Sequence, residues 1–186
     1  MTNINDKINQ SFSKAEKLFS EGKLSESIDC YKNILNENPN FLPALNNLAL
    51  AYEYSNDLVS AEKYYLKCYS LNSKEVTFIN NLSNLYLKQG KFTKAEPLLR
   101  ESLNANQNQI NIIRNMIMCL IDLNKRLEAE KEAEKYLKIF EEDKILNKIH
   151  GRNLIKLDKH KKGLDFLKKG TGFIEFNIDD QISILN

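Results

Sequence analysis

A chain of 186 residues can bury one compact core or a short repeat array, and 42% hydrophobic with 28% charged residues excludes wholesale disorder. Charges nearly cancel, 27 basic against 25 acidic, which excludes a uniformly polyanion-seeking surface. Three prolines and six glycines favour helices over a turn-rich sheet protein.

No apolar run approaches the ~20 residues of a membrane helix, so no membrane partner is expected. The opening Met1-Thr2-Asn3-Ile4-Asn5-Asp6-Lys7 lacks the basic-then-apolar layout of a secretory leader. Cys30, Cys68 and Cys119 are odd in number, dispersed and set among apolar neighbours. Buried reduced thiols and a cytoplasmic location are the expectation.

Along the chain the first helix pair shows Gly22-Lys23-Leu24 at its turn, then Ser27 and Tyr31, and Pro39 closes it. The second opens with Pro43 at the first turn of a helix, where a missing N–H costs nothing. It continues through Leu45-Asn46-Asn47-Leu48 and Tyr52, turns at Asn56-Asp57-Leu58, and follows with Ala61 and Tyr65. The third repeats this 34 residues on: Ile79-Asn80-Asn81-Leu82, Tyr86, Gly90-Lys91-Phe92, Ala95 and Leu99. Pro97 should delay the start of its helix to about Thr93 or bend it. The fourth keeps the apolar spacing in Ile113-Arg114-Asn115-Met116 and Leu120, but Asn124-Lys125-Arg126-Leu127 reads as carrying one extra turn residue. In the fifth only Gly151, Leu154 and Gly163 hold the pattern.

The period has a physical cause. Two antiparallel helices that cross closely need a small residue at the crossing, and Ser27, Ala61, Ala95, Ala129 and Gly163 fall 34 apart. Gly or Asn at the turn supplies the left-handed conformation that ends the first helix. No pair buries its apolar stripe alone, so pairs stack.

These motifs resemble the tetratricopeptide repeat family over roughly residues 8–177. The resemblance implies an all-α fold, a right-handed superhelical solenoid of about five helix pairs with a C-terminal capping segment. A repeat domain over 1–177 is expected, with units of about 8–41, 42–75, 76–109, 110–143 and 144–177 and a tail over 178–186. Lys169-Gly170-Thr171-Gly172 should end the last helix, and the apolar cluster Phe173 to Ile178 should fold back over the last pair or dock a partner, with weak self-association as a consequence of the second use.

In the family the first helix of each unit lines a concave wall. The resemblance therefore points to Asn46, Asn47, Asn80, Asn81, Asn84, Arg114 and Asn115 as the peptide-binding residues. Asn47, Asn81 and Asn115 stand 34 apart, and some family members hold extended peptides with such an amide ladder, since each amide carries donors and an acceptor. With 24 asparagines in the chain, a merely solvated polar wall explains the same column. The family's Lys/Arg/Asn clamp for terminal carboxylates is not matched: its places fall on Phe12, Glu16, Asn47, Thr77 and Asn81, and only Asn47 fits.

Between Lys144 and Lys169 nine basic residues face only Asp158 and Asp165, a net +7 that leaves the rest at −5. This segment suits a solvated end cap or, second, a site for an acidic or phosphate-bearing partner. Nucleic acid is disfavoured, because no aromatic interleaving or RNA-binding motif accompanies the charge. His150 and His160 have no metal-ligand spacing, no phosphate-cradling loop is present, and no acid–base pair stands out, so neither an enzyme nor a cofactor is expected. The expected function is a non-catalytic scaffold that binds a protein or peptide segment in its groove. The alternatives are a helical assembly domain of a larger enzyme or secretion complex and, weaker, an RNA- or phosphate-binding module.

Overall fold

The computed structural model describes residues 4–172, 175–176 and 182–183. The chain divides into two compact units, Met1–Lys91 and Phe92–Asn186. The first holds α1 (Ile4–Ser20), α2 (Leu24–Glu37), α3 (Leu42–Tyr54), α4 (Leu58–Leu71) and α5 (Val76–Lys88). The second holds α6 (Phe92–Ala105), α7 (Ile110–Asp122), α8 (Arg126–Leu137), α9 (Lys144–Ile155) and α10 (His160–Thr171). It ends in a small antiparallel pair, β1 (Glu175–Phe176) with β2 (Ile182–Ser183).

The 34-residue register governs every helix start after the first. Second helices begin at residues 24, 58, 92, 126 and 160, and first helices at 42, 76, 110 and 144. The turns follow the same rule. Gly22, Asn56, Gly90, Asn124 and Asp158 all adopt left-handed φ between 59° and 75°. The next N–H then reaches back five residues: Lys23 to the Leu18 carbonyl, Asp57 to Tyr52, Lys91 to Tyr86, Lys125 to Leu120 and Lys159 to Leu154, at 2.8–3.0 Å. This is the Schellman closure that satisfies orphan carbonyls at a helix end.

Two expectations need correction. The fourth turn has no extra residue: Asn124 occupies the left-handed place, and Arg126 stands in register with Leu24, Leu58 and Phe92. The apolar Leu127 that follows Arg126 is solvent-exposed and does not take the in-register place. Of the two outcomes expected at Pro97, the delayed start does not occur. Pro97 lies inside α6, which begins at Phe92 in register, so the proline forfeits one backbone hydrogen bond without moving the start.

The crossing positions are buried as the packing argument requires. Ser27, Ala61, Ala95, Ala129 and Gly163 are all covered, followed four residues on by buried Tyr31, Tyr65, Leu99, Ala133 and Leu167. First helices carry a matching column at Ala15, Ala49, Ser83, Ile117 and Gly151. In the last pair both columns are glycine, and a Cβ built on Gly151 would stand 2.8 Å from the Gly163 carbonyl oxygen. A periodic ion pair recurs within each unit: Lys91 to Glu62 of α4 at 2.6 Å in the first, and Lys125 to Glu96 of α6 at 2.7 Å and Lys159 to Glu130 of α8 at 2.6 Å in the second.

Gly172, with φ of 86°, ends α10, and its N–H donates to the Lys168 carbonyl at 2.8 Å. The expected cover by Phe173 to Ile178 lies largely outside the described residues.

Candidate functional site

In the first unit the periodicity of α3 and α5 turns Leu45, Leu48, Ile79 and Leu82 into the core and leaves the intervening amides half-buried on one wall. These amides bond to one another. The Asn81 amide donates to the Asn46 Oδ1 at 2.8 Å, and Asn46 donates to the Asn47 Oδ1 at 3.3 Å. Asn47 in turn donates, at longer range, to Glu16 of α1 at 3.4 Å and to the Tyr31 hydroxyl at 3.5 Å. A connected chain, Glu16–Asn47–Asn46–Asn81, therefore runs across α1, α3 and α5. Its links run through Asn46 rather than directly down the 34-residue column. Asn80 is half-buried beside it, and its carbonyl accepts from the Ser83 hydroxyl at 2.9 Å.

Asn81 and the exposed Asn84 line a groove of about 440 Å³ together with Leu50, Glu53, Tyr54 and Lys88. Glu53 is its electrostatic centre. It accepts from the Tyr65 hydroxyl at 3.2 Å and pairs with Lys88 at 3.6 Å. Burial, then the Glu53 charge, push the Tyr65 hydroxyl far above its ordinary value, so it stays protonated and donates to Glu53.

In the second unit Arg114 and Asn115 lie half-buried on α7. Arg114 forks onto Asp143, Nε to Oδ1 at 3.0 Å and an NH2 to Oδ2, and its NH1 reaches Asn111 at 3.1 Å. Asp143 also caps α9, accepting from the Leu146 N–H at 2.7 Å. Burial alone would raise the Asp143 carboxyl, but Arg114 and the cap bond outweigh it and hold the group below the usual carboxylate range. Arg114 thus orients the start of α9.

A second groove, about 480 Å³, lies between α7 and α9 and is lined by Met118, Ile121, Asp122, Arg126, Ile149, Arg152 and Lys156 among others. It sits two repeats after the first groove. Leu50, Glu53, Tyr54, Asn81, Asn84 and Lys88 correspond at 68 residues to Met118, Ile121, Asp122, Ile149, Arg152 and Lys156. The two-period comparison would have found it, but the imagined extra residue at 124–127 hid the alignment.

The basic last repeat is partly neutralised. Lys159 pairs with Glu130, Lys162 with Glu134 and Lys169 with Glu141. Cys68 and Cys119 are fully buried, and burial pushes both thiols up to about 11, which leaves them protonated at neutral pH. Cys30 is half-buried and also free. Among the described residues no group of three or more His, Cys, Asp or Glu side chains is placed to hold a metal, and no helix is long and apolar enough to cross a membrane.

Helix pairs in a 34-residue register, Schellman turns and a small second-helix residue at each crossing define the tetratricopeptide repeat class. Within that class the chain belongs to the family described as "Domain of unknown function (DUF6340)", whose model matches residues 13–142. Among curated relatives, TPR repeat-containing protein YvcD of Bacillus subtilis is 32% identical over 85 residues, 46% of this chain and 18% of that protein. Superkiller protein 3 of Schizosaccharomyces pombe is 28% identical over 91 residues, 49% of this chain and 7% of that protein. The chain thus spans only a minor part of these relatives. Among solved structures, MamA from Desulfovibrio magneticus RS-1 superposes with a TM-score of 0.84 at 15% identity, covering 90% of this chain and 94% of that one. YrrB, described as a TPR protein with an unusual peptide-binding site, gives 0.77 at 17% identity, covering 87% and 84%. At such identities the likeness establishes the fold.

Proposed function

We propose that the chain is a non-catalytic interaction module that holds an extended segment of a partner protein against its first-helix wall. The observation that carries this reading is the amide chain Asn47–Asn46–Asn81 running into the groove that Asn81 and Asn84 line. An amide has two N–H donors and a carbonyl acceptor, and the bond to Asn46 uses only one donor of Asn81. The remaining donor and oxygen match the alternating N–H and C=O groups of a bound backbone, whatever its side chains. Bonding among the amides fixes their rotamers before a peptide arrives, which lowers the ordering cost of binding. The peptide-binding site ascribed to YrrB supports the reading at the level of the shared fold. Three free thiols suit a reducing compartment, and the cytoplasm is the proposed location.

The test uses peptides selected from a display library on the wild-type chain. Their affinity for the Asn47→Ala/Asn81→Ala variant, read by titration calorimetry, should fall about tenfold or more, with the helical circular dichroism unchanged. Undiminished affinity would rule the amide wall out as the binding surface.

A further inference from the structure

The groove of the second unit keeps the place of the first but changes its chemistry. Where Glu53 holds Lys88 in the first groove, Ile121 stands in the second, so Lys156, the counterpart of Lys88, faces no such carboxylate. Ile149 likewise replaces Asn81. With Met118, 49% exposed, and Ile155, these isoleucines form an open apolar surface.

Three cations border it: Arg126, Arg152 and Lys156. Asn153, only 1% exposed, fixes the first of them, donating to the Arg126 carbonyl at 2.9 Å and accepting from its guanidinium at 3.4 Å. Elsewhere in this unit Arg100, Arg114, Lys125, Lys159, Lys162 and Lys169 each have a carboxylate partner. Among the described residues Arg126, Arg152 and Lys156 have none, as is also true of Lys131, Lys138, Lys144, Lys148, Lys161 and Lys168; what sets the three apart is that they border one apolar groove. Asp122 is the one carboxylate lining the groove, outnumbered three to one and ion-paired to none of them.

Apolar surface ringed by unpaired cations has a complement of definite kind. We infer that this groove is a subsite for a partner segment carrying bulky apolar side chains flanked by carboxylates. The apolar side chain covers Met118 and the isoleucines, and the flanking carboxylates take the guanidinium and ammonium groups that the fold leaves without counter-charge. A backbone-reading amide wall is indifferent to side chains, so this groove supplies the selectivity that the first one lacks. The inference rests on the reading of the first-helix wall as a peptide holder, and it can fail separately.

Fluorescence anisotropy on the full chain tests it with three short acetylated, amidated peptides: paired leucines flanked by glutamates, paired leucines flanked by lysines, and paired serines flanked by glutamates. The first should bind about tenfold or more tighter than either control and weaken with added salt. Arg152→Glu/Lys156→Glu should weaken it by at least about tenfold. Met118→Glu should weaken it too, and all three side chains are exposed enough to be changed without unfolding the chain. Asn47→Ala/Asn81→Ala, in the other unit, should leave this short peptide's binding unchanged. No binding to wild type, equal binding of the lysine-flanked peptide, or retention by the charge-reversed variant would each overturn the inference. So would selective binding of a single-stranded uridine oligonucleotide that the same variant abolishes, since that assigns the cations to nucleic acid. If selected peptides lose affinity in the amide variant while the glutamate-flanked probe never binds, the subsite falls and the general function stands.

Discussion

His150 is fully buried on α9, edge-on to the Phe166 ring at 4.5 Å, and neither ring nitrogen has a protein hydrogen-bond partner. Four charges from α8 and α10 face it: Glu134 and Glu130 favour its protonation, while Lys162 and Lys159 oppose it. Burial is the larger effect and lowers its pKa below the ordinary 6.5. The unfolded chain therefore takes up this proton first as pH falls. Stability is fully present above about pH 6.5 and is lost below it, down to the lowered folded-state value, at no more than about 1.4 kcal/mol per pH unit. Urea midpoints of wild type and His150→Leu at pH 7.5 and 5.5 check this. The wild type should lose stability between the two, and the variant should lose clearly less. Equal losses would place the proton uptake elsewhere, although Asp143, Glu96 and Glu134, all held below their ordinary values, titrate only at lower pH.

At the scale of elements, the glycines of the chain do two different jobs. Gly22, Gly90 and Gly172 have left-handed φ and open space around a would-be Cβ, so alanine there meets only the backbone strain of about 1–2 kcal/mol. Gly151 is helical, and alanine would gain about 1 kcal/mol in helix propensity. Its Cβ, however, would meet backbone at 2.8 Å from the Gly163 oxygen and 2.9 Å from the Leu167 nitrogen, so α9 and α10 must move apart. The overpacking cost of about 1–3 kcal/mol exceeds the propensity gain. Gly151→Ala should therefore lower the denaturation midpoint despite being a Gly-to-Ala change within a helix; a raised midpoint would show that the helices separate freely. The crossing glycine Gly163 was legible in sequence because a steric need keeps a small residue at a fixed spacing. The fourth turn was not, because Arg126 fills a place that is apolar in three other repeats, and Asp158 was not, because an aspartate in left-handed conformation carries no sequence mark of its own. The amide link was missed for a geometric reason. Comparing columns 34 apart aligns Asn47 with Asn81, whereas the hydrogen bond between α3 and α5 spans 35 residues, from Asn81 to Asn46.

For the whole chain, the repeating register means that stability is built from pairs and their interfaces with the next pair, each carrying similar parts: a Schellman turn, a small second-helix residue at the crossing and, in three cases, a Lys–Glu ion pair. Surface ion pairs of this kind add only about 0–1 kcal/mol each, so apolar burial at the interfaces dominates the coupling. A long-range sheet protein would spread damage over the entire molecule. A linear array confines it to neighbours, because a repeat shares core only with the pairs beside it. Hydrogen exchange read by mass spectrometry on Gly151→Ala distinguishes the two behaviours. Exchange should rise most in α9 and α10, less in α7 and α8, and stay at wild-type rates in α1 to α4. A uniform rise across all ten helices would instead mean that the array opens as one cooperative body, and that the division at Lys91 has no counterpart in its folding energetics.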